Sequence, residues 1–469
     1  MVRTPSASLL LAFIVVAGCT GAPARPPVDG TLALNTRPPS AKELADAVNI
    51  EGHRGRLTRV ERTALLTELA AQDDSSALKR HLAAQAIYGE INLTANNQAT
   101  LLIDGPDTFK AMFAAIDSAV STIALESYIV DDQELAQRLA ALLEKKRAAG
   151  VEVFMIYDDI GSYDTRAAYF DRLRTAGVAI CAFNPISPLK RPGYWAINHR
   201  DHRKIVVVDR KVAFTGGINI SSVYSLGSTS RTLKSAEAER GWRDTQIELR
   251  GQAAEELDDL VRETWREQGC EGRLPPPPLA PKTYPPGREV VQLIPSSPND
   301  SFNRIYAMLL TAIDTARHSV HLTMAYFAPG EEMIHTLADA ARRGVDVQLV
   351  LPSVSDFRPV MYAGRSYYES LLQAGVRIYE LKGAILHAKT AVIDGVLSTV
   401  GSSNLDWRSL TANNEVNAVV YGEAFGASMQ RMFERDVAAS SEIHLNAWRQ
   451  RGPWQKFLEA AARRFESFW

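Results

Sequence analysis

The sequence HRKIVVVD at residues 202–209 recurs as HAKTAVID at residues 387–394, and this repeated stretch decides the fold. Each copy is followed by a glycine and an asparagine, at Gly216 and Asn219 and at Gly401 and Asn404. Corresponding residues lie 185 positions apart throughout (387 − 202 and 404 − 219). A constant offset between spaced identities indicates an internal duplication, so the chain contains two copies of one structural unit.

The duplicated histidines and lysines predict a catalytic site. Side chains two positions apart in a strand point to the same face, so His202 projects with Lys204, and His387 projects with Lys389. Two ammonium groups suit a phosphate diester because they offset the charge of its oxygens. One histidine can attack phosphorus while the other protonates the leaving oxygen. The lysines supply the positive charge, so the pattern predicts neither a metal nor a cofactor.

The other motif residues receive supporting roles. Asn219, Asn404 and Ser402 are predicted to bind the phosphate oxygens. Asp209 and Asp394 end the two apolar runs, where holding a turn is favoured over a part in the reaction.

A repeated rhythm of helices and apolar strands surrounds both motifs. The sequences AIDSA at 115–119 and AIDTA at 312–316 each lead into an apolar run. Amphipathic helices follow, and Gly150 and Gly344 end them as C-caps. Strands that alternate with helices predict an α/β fold whose sheets are covered by helices.

Composition and repeats predict the domain boundaries. The chain divides into a helical N-terminal region (41–95), a first lobe (96–270), a linker (271–287), a second lobe (288–440) and a C-terminal amphipathic helix (441–469). The linker contains seven prolines, which exclude a helix or a central strand.

The C-terminal helix carries an aromatic stripe. One helical face holds Trp454, Phe457, Leu458, Ala461, Phe465 and Trp469, with two arginines nearby. Packing against the domain is the favoured interpretation, and a helix lying in a membrane interface is the alternative.

The first residues predict export. Residues 1–18 combine an apolar run with a small-residue cleavage site, and Cys19 follows directly. This order resembles a bacterial lipobox and implies that Cys19 is lipidated, with residues 19–40 as a flexible tether. An ordinary signal peptide is the alternative. Cys181 and Cys270 could form one disulfide in an exported protein, and two free thiols fit the sequence equally well.

The charge balance bears on the substrate. The chain has 52 basic and 54 acidic side chains and a net charge of −2. Proteins that bind nucleic acid through its phosphates carry a basic excess, so no nucleic-acid partner is expected.

The duplicated motif resembles the phospholipase D superfamily, whose members carry two such motifs. The resemblance covers roughly residues 100–440. It implies an α/β fold built as a pseudo-twofold pair of phospholipase D-like α/β/α sandwich lobes, with the active site at their interface. It also implies a phosphohistidine intermediate, with His202 as the nucleophile and His387 as the general acid. Because both motifs lie in one chain, a monomer is expected to be active.

Flanking sequences resemble those of bacterial cardiolipin synthases. The similar stretches are INHRDHRK at 197–204, WRDT at 242–245 and SNLDWRS at 403–409. This resemblance implies that Glu415 holds a catalytic imidazole and that Asp244 is the corresponding acid for the first half. In one departure, Gly217 replaces the serine that is common at that place, which predicts a weaker phosphate contact in the first half.

The favoured function is phosphatidyl transfer, in which two phosphatidylglycerol molecules give cardiolipin and glycerol. The alternatives are hydrolysis to phosphatidic acid, a secreted nuclease and a catalytically silent lipid-binding protein. The expected partners are membrane phospholipids, namely phosphatidylglycerol, with phosphatidylethanolamine as a further donor. The predicted location is the periplasm-facing side of the bacterial cell envelope, and Thr20 after Cys19 favours the outer membrane.

Overall fold

The computed structural model of the chain describes residues 40–52, 55–72, 75–86, 91–186, 197–228, 241–271, 274, 276 and 287–468. The predicted signal peptide, Cys19, nearly all of the tether and most of the proline-rich linker lie outside these described residues.

The N-terminal region contains strands as well as helices. It comprises α1 (Ala41–Ala47), β1 (Val48–Gly52), β2 (Gly55–Arg56), α2 (Arg59–Gln72) and α3 (Ser75–Ala86). The prediction of a helical region was therefore wrong for residues 48–52 and 55–56, and also for residues 91–95, where the next strand begins. β1 alternates buried and partly buried residues, which is the period of a strand, but over too few residues to stand out in the sequence.

The first lobe alternates strands and helices as its sequence predicts. Its elements are β3 (Ile91–Ile103), α4 (Asp104–Ser118), β4 (Thr122–Ser127), α5 (Glu134–Ala148), β5 (Glu152–Asp158), α6 (Ala167–Thr175), β6 (Ala179–Phe183), β7 (Arg200–Asp201), β8 (Lys204–Val208), β9 (Val212–Gly216), a 3-10 turn (Ser222–Tyr224), β10 (Trp242–Arg243), β11 (Thr245–Arg250) and α7 (Gln252–Glu267). Its sheet runs in the order β6-β5-β4-β8-β9-β11-β3.

The second lobe repeats the first. Its elements are β12 (Glu289–Ser296), α8 (Arg304–Thr315), β13 (Ser319–Met324), α9 (Gly330–Arg342), β14 (Asp346–Pro352), α10 (Arg358–Arg365), α11 (Tyr368–Ala374), β15 (Arg377–Leu381), β16 (Ile385–Leu386), β17 (Lys389–Ile393), β18 (Leu397–Gly401), α12 (Trp407–Thr411), β19 (Asn413–Tyr421) and α13 (Glu423–Ala438). Its sheet runs in the matching order β15-β14-β13-β17-β18-β19-β12.

The two lobes are related by a pseudo-twofold axis, as the duplicated sequence predicts. β3 of the first lobe pairs with β12 of the second, so the two sheets are continuous. Apolar side chains of α7, α13 and strands from both lobes share one buried cluster. The histidine motifs occupy equivalent places, each just before the strand that enters its lobe's core, at β8 and at β17.

The C-terminal region is divided into several elements, contrary to the prediction of one helix. It comprises β20 (Ser440–Ile443), α14 (Leu445–Arg449), α15 (Pro453–Arg464) and a 3-10 turn (Glu466–Phe468). Gly452 and Pro453 separate the two helices, because proline is favoured only in the first turn of a helix. Among the residues that the structure describes, no helix is both long enough and apolar enough to cross a membrane.

A disulfide joins the middle of β6 to the residues after α7. Cys181 and Cys270 are bonded, with their Cα atoms 5.6 Å apart and 89 positions between them in the sequence. The sequence left this pairing open, and the fold decides it by bringing the end of α7 beside the edge strand β6.

We predict that removing this bond destabilises the protein. Replacing both cysteines by serine (Cys181→Ser with Cys270→Ser) should lower the free energy of unfolding by about 2–4 kcal/mol, because the crosslink restricts the unfolded chain. Denaturant titration of the oxidised protein and of the variant measures the difference. The reduced wild type is the control and should match the variant. A mass of the unreduced, purified protein that corresponds to free thiols at both Cys181 and Cys270 would contradict the prediction.

Candidate active site

Each lobe reaches across to the other immediately before its motif histidine. β7 of the first lobe pairs in parallel with the start of β19, and β16 of the second lobe pairs in the same way with β10. The amide of His202 donates to the carbonyl oxygen of Asn414 at 2.9 Å. The amide of His387 donates to the carbonyl oxygen of Arg243 at 2.8 Å. Both histidines therefore lie where the lobes meet.

The register of these pairings sets an acid of the opposite lobe beside each imidazole. Nδ1 of His202 is 3.0 and 3.1 Å from the two carboxylate oxygens of Glu415. Nδ1 of His387 is 2.7 Å from Oδ2 of Asp244. An ionised carboxylate can only accept a hydrogen bond, so each Nδ1 carries its proton. The lone pair of each neutral ring is then on Nε2, which is free for chemistry.

The motif lysines lie beneath the imidazoles. Nζ of Lys204 donates to the carbonyl oxygen of His202 at 2.5 Å, and Lys389 makes the equivalent bond to His387. Burial lowers the pKa of Lys204 to about 7, although the Glu415 carboxylate opposes the shift. Burial also lowers the pKa of Lys389, and here Asp244 opposes it. Two buried ammonium groups gain from an anion beside them, so the site favours a negatively charged ligand.

Both imidazoles are buried deeply enough to favour their neutral form. Burial lowers the pKa of His202 to about 4, even though the Glu415 carboxylate works in the opposite direction. Burial and then the charge of Lys389 lower the pKa of His387, against the effect of Asp244. At neutral pH a nucleophilic histidine is therefore available without prior loss of a proton.

Aromatic rings line both histidines. The ring centroid of Tyr128 is 4.9 Å from that of His202, and Trp242 is 5.2 Å from His387. Tyr326 lies 6.3 Å from His387 on another side. The hydroxyl of Tyr224 is 3.2 Å from Nδ1 of His387. These rings restrict the directions from which a substrate reaches the two Nε2 atoms.

The two motif asparagines lie just beyond β9 and β18, beside the histidines. Oδ1 of Asn219 accepts the amide of Ile129 at 3.1 Å, and its Nδ2 donates to the hydroxyl of Tyr224 at 3.2 Å. Oδ1 of Asn404 is buried and has no hydrogen-bond partner among the described residues. One N–H of Asn219 therefore remains for a phosphate oxygen, whereas the buried Oδ1 of Asn404 can only accept a hydrogen bond and so suits a hydroxyl rather than a phosphate oxygen.

A comparison with known protein families decides the classification. The family model described as "Cardiolipin synthase, PLD-like domain" matches residues 112–226 and 309–437, which together make up just over half of the chain. This chain belongs to the phospholipase D superfamily.

Individual relatives agree with the family match. A cardiolipin synthase from Geobacillus kaustophilus is 36% identical over 377 residues, which cover 80% of this chain and 73% of the relative. Cardiolipin synthase A from Pseudomonas fluorescens is 35% identical over 385 residues, with 81% and 77% covered. The crystal structure of a phosphatidylserine synthase from Haemophilus influenzae superposes with a TM-score of 0.61 at 13% identity. It covers 83% of this chain and all of that structure, which shows a common fold.

Within this phospholipase D fold, the acid Asp244 serves the histidine of the opposite lobe. It was predicted as the corresponding acid for the first half, and it bonds His387 of the second half. Glu415 of the second half bonds His202. The crossing follows from the strand pairings, because Asp244 directly follows β10 and His387 directly follows the strand paired with it, β16.

Ser402 was predicted to bind phosphate, and the structure gives it another role. Its hydroxyl donates to Oε2 of Glu415 at 2.5 Å and accepts the amide of Val416 at 3.0 Å. Its side chain is completely buried. Ser402 thus fixes the carboxylate that orients His202.

The glycine at the equivalent place in the first lobe makes room for the other acid. A Cβ atom on Gly217 would lie 2.1 Å from Oδ1 of Asp244, which is far inside van der Waals contact. The sequence predicted that Gly217 weakens a phosphate contact. The structure instead shows that glycine is required here, because a side chain would overlap Asp244. Asp244 occupies the space that the serine hydroxyl would need, whereas Glu415 lies far enough from Ser402 to accept its hydrogen bond.

Asp209 and Asp394 hold turns at the far ends of β8 and β17. Asp209 accepts the amides of Val120, Ser121 and Thr122. Asp394 accepts the amides of residues 317–319 and is also bonded by Arg80 and His81 from α3. Burial opposes the shift, but these bonds hold the pKa of both carboxyls below their usual values. The sequence suggested no role for the N-terminal region. Its helix α3 helps to hold the turn at the end of β17 in the second lobe.

Two buried acids behind His202 were missed by the sequence analysis. Asp201 has no hydrogen-bond donor for either carboxylate oxygen among the described residues, and neither does Oε2 of Glu126. Burial raises the pKa of both acids, and the negative charge of Glu126 raises the pKa of Asp201 further. A proton shared between the two acids would give one of these oxygens on each acid a hydrogen-bond partner. The available signal was Asp201 itself, a carboxylate directly before the motif histidine.

We predict that restoring the common serine at Gly217 damages the site. Gly217→Ser should lower kcat about 10²-fold, because the new side chain displaces Asp244 from His387 and disturbs proton transfer. Ser402→Gly is the matched control, since it removes one hydrogen bond to Glu415 without adding bulk, and it should cost less. Turnover of folded protein is the measurement. A Gly217→Ser variant as active as the wild type would contradict this packing requirement.

We also predict that the two acids control opposite limbs of the pH profile of kcat/KM. The acid limb should lie near pH 4, where His202 takes up a proton and ceases to be a nucleophile. Glu415→Gln removes a charge that raises the pKa of His202, so this limb should move to lower pH. Asp244→Asn should lower the pKa of His387 and move the alkaline limb to lower pH.

The profiles are measured with a soluble short-chain phosphatidylglycerol. Asparagine and glutamine have nearly the same shape as the acids that they replace. Circular dichroism checks that each variant is folded. If Glu415→Gln moved the alkaline limb and Asp244→Asn moved the acid limb, the roles of His202 and His387 would be reversed.

Proposed function

We propose that the protein is a phosphatidyltransferase of the phospholipase D type that converts two phosphatidylglycerol molecules into cardiolipin and glycerol. The supporting observation is the pair of neutral imidazoles, each held by an acid of the opposite lobe and underlain by a buried lysine. The similarity to cardiolipin synthases over four fifths of the chain supports the lipid substrate.

In the first step, Nε2 of His202 attacks the phosphorus of a phosphatidylglycerol. The P–O bond to the glycerol headgroup breaks, and His387, whose Nε2 has taken up a proton as the anionic substrate enters, gives that proton to the departing oxygen. Lys204 and Lys389 offset the negative charge on the non-bridging oxygens. Glu415 stabilises the positive charge that develops on the His202 ring when its Nε2 is bonded to phosphorus.

In the second step, the headgroup hydroxyl of another phosphatidylglycerol attacks the phosphohistidine. His387, now neutral, removes the proton of that hydroxyl, and the bond from phosphorus to His202 breaks. The products are cardiolipin and an enzyme in which His202 is again neutral and His387 is again protonated, as at the start of the first step. Water in place of the lipid hydroxyl would give phosphatidic acid, so hydrolysis uses the same residues and is separated from transfer only by the product.

The test is a product analysis with phosphatidylglycerol vesicles and the full chain. Mass spectrometry should find cardiolipin together with free glycerol, and His202→Ala should produce neither. Activity should persist in excess chelator, because lysines supply the positive charge. Phosphatidic acid without cardiolipin would instead make the protein a phospholipase D, and no turnover of any phospholipid would reject the proposal.

We predict that the two histidines differ in their response to the leaving group. His387→Ala should reduce lipid turnover by about 10³-fold but retain release of p-nitrophenol from a p-nitrophenyl phosphodiester, because that leaving group needs no proton. His202→Ala should abolish both reactions, since no nucleophile remains. The comparison of the two substrates in the two variants is the measurement. Equal losses on both substrates in His387→Ala would contradict its role as general acid.

We further propose that the protein is anchored in the bacterial cell envelope through lipidated Cys19. The disulfide between Cys181 and Cys270 supports export, because such bonds persist in oxidising compartments. Radiolabelled palmitate on the wild type but not on Cys19→Ser tests the anchor.

A further inference from the structure

The helix α15 packs with the face opposite to the one expected. Its buried residues are Glu459 and Ala462, and Glu459 is held by Arg451 at 2.8 and 2.9 Å. Trp454 and Phe457, on the aromatic stripe, are 69% and 59% exposed. Phe457 lies about 140–160° around the helix axis from the two buried residues, taking 3.6 residues per turn. The favoured interpretation, an aromatic stripe packed on the domain, is therefore wrong for these side chains.

The exposed stripe forms an organised apolar surface. The rings of Trp454 and Phe457 stack on each other, with centroids 5.4 Å apart. Phe465, two turns further along, is 52% exposed. Exposing large aromatic side chains costs free energy in water, so a surface of this kind marks a place of contact. Among the described residues, these three are the exposed aromatic members of the aromatic stripe.

The charges around the aromatic stripe are basic. Lys456 and Arg464 are exposed, whereas the partly exposed Arg463 is ion-paired with Glu331 of α9. The acids of this segment are turned inward, since Glu459 is buried and Glu466 bonds the hydroxyl of Tyr367. The outer face of α15 therefore combines aromatic rings with cationic groups.

The buried side of the same helix lies against the wall of the active site. Ala462 packs in one apolar cluster with Val360 and Tyr326, and Tyr326 is one of the rings beside His387. A surface pocket between α15 and α12 is lined by Trp407, two arginines and neighbouring residues of the last turn. Trp407 follows the motif segment at 403–406, and its indole Nε1 is buried without a hydrogen-bond partner among the described residues. One apolar cluster thus connects the buried side of α15 to Tyr326, a ring beside His387.

We propose that the outer face of α15 docks the enzyme on an anionic phospholipid bilayer and so presents the active site to lipid headgroups. This inference rests on the proposed function, in which both substrates lie in a membrane. Aromatic rings enter the boundary between headgroups and acyl chains, and the flanking cations bind anionic headgroups. A second, weaker contact of this kind complements a lipid anchor at Cys19, because stable attachment requires more than one signal.

Charge favours a bilayer over a second copy of the chain. Two copies meeting through this face around a twofold axis would set Lys456 and Arg464 against the same residues of the partner copy. Like charges opposed in this way repel. An anionic membrane offers the complementary charge and also the apolar depth that the aromatic stripe requires.

The test measures vesicle binding and turnover separately. The protein is the full chain carrying Cys19→Ser, so that binding reports the helix. Trp454→Ala combined with Phe457→Ala should weaken co-sedimentation with phosphatidylglycerol vesicles by about tenfold or more and lower vesicle turnover equally. Turnover of soluble short-chain phosphatidylglycerol should stay unchanged. Val60→Ala, at an apolar position 79% exposed on α2, is the matched control and should change neither.

Charge supplies the second arm. Lys456→Glu with Arg464→Glu should weaken binding to phosphatidylglycerol vesicles but not to neutral phosphatidylcholine vesicles, and added salt should reduce the difference. Unchanged vesicle binding in both double variants would overturn the proposal. A loss of self-association without a loss of vesicle binding would assign the surface to a second copy and also overturn it.

The outcomes distinguish this inference from the proposed function. His202→Ala removes turnover but should leave vesicle binding intact, so docking is measurable even if the chemistry differs from that proposed. If short-chain lipid is turned over normally and the α15 substitutions do not change vesicle binding, the docking surface alone is rejected. Vesicle binding that depends on α15 without turnover of any phospholipid would reject the proposed function alone.

Discussion

The crossed pairing of imidazole and carboxylate between the lobes is the interaction on which the site depends. His202 is held by Glu415 and His387 by Asp244, so neither lobe contains a complete set of groups. Each pair is buried, and leaving a buried carboxylate without its hydrogen-bond donor costs about 1–3 kcal/mol or more. The same four side chains therefore couple lobe docking to catalytic orientation. Duplication within one chain secures this arrangement, because the partner lobe is always present.

The two halves of the site hold their buried acids in different ways. The second lobe uses a longer acid fixed by a serine, whereas the first uses a shorter acid packed against glycine. Both solutions bring a carboxylate to Nδ1 of an imidazole, at 3.0 Å for Glu415 and 2.7 Å for Asp244. The change of serine to glycine is compensated by the change of acid, so the two positions must be considered as a pair.

The sequence predicts the fold and the four central residues because the duplication is regular there. The offset of 185 relates the histidines, lysines and asparagines, but from Asp244 it leads to Met429 rather than to Glu415. The acids are related by strand pairing instead, which no sequence offset reveals. Amphipathic periodicity likewise identifies the aromatic stripe of α15, but only the packing of Glu459 and Ala462 shows which face is buried. Arg80 and His81 were unpredictable because their partner, Asp394, is more than 300 residues away.

The charges of the site also explain how it can prepare its own acid. With both imidazoles neutral, the ammonium groups of Lys204 and Lys389 balance the carboxylates of Asp244 and Glu415. A phosphate diester adds one negative charge to this buried set. One proton taken up by an imidazole restores the balance, and burial makes an unbalanced charge expensive. The anionic substrate therefore raises the pKa of the imidazoles and supplies the single protonated histidine that departure of the alcohol requires. A neutral free site and a singly protonated complex follow from the same balance.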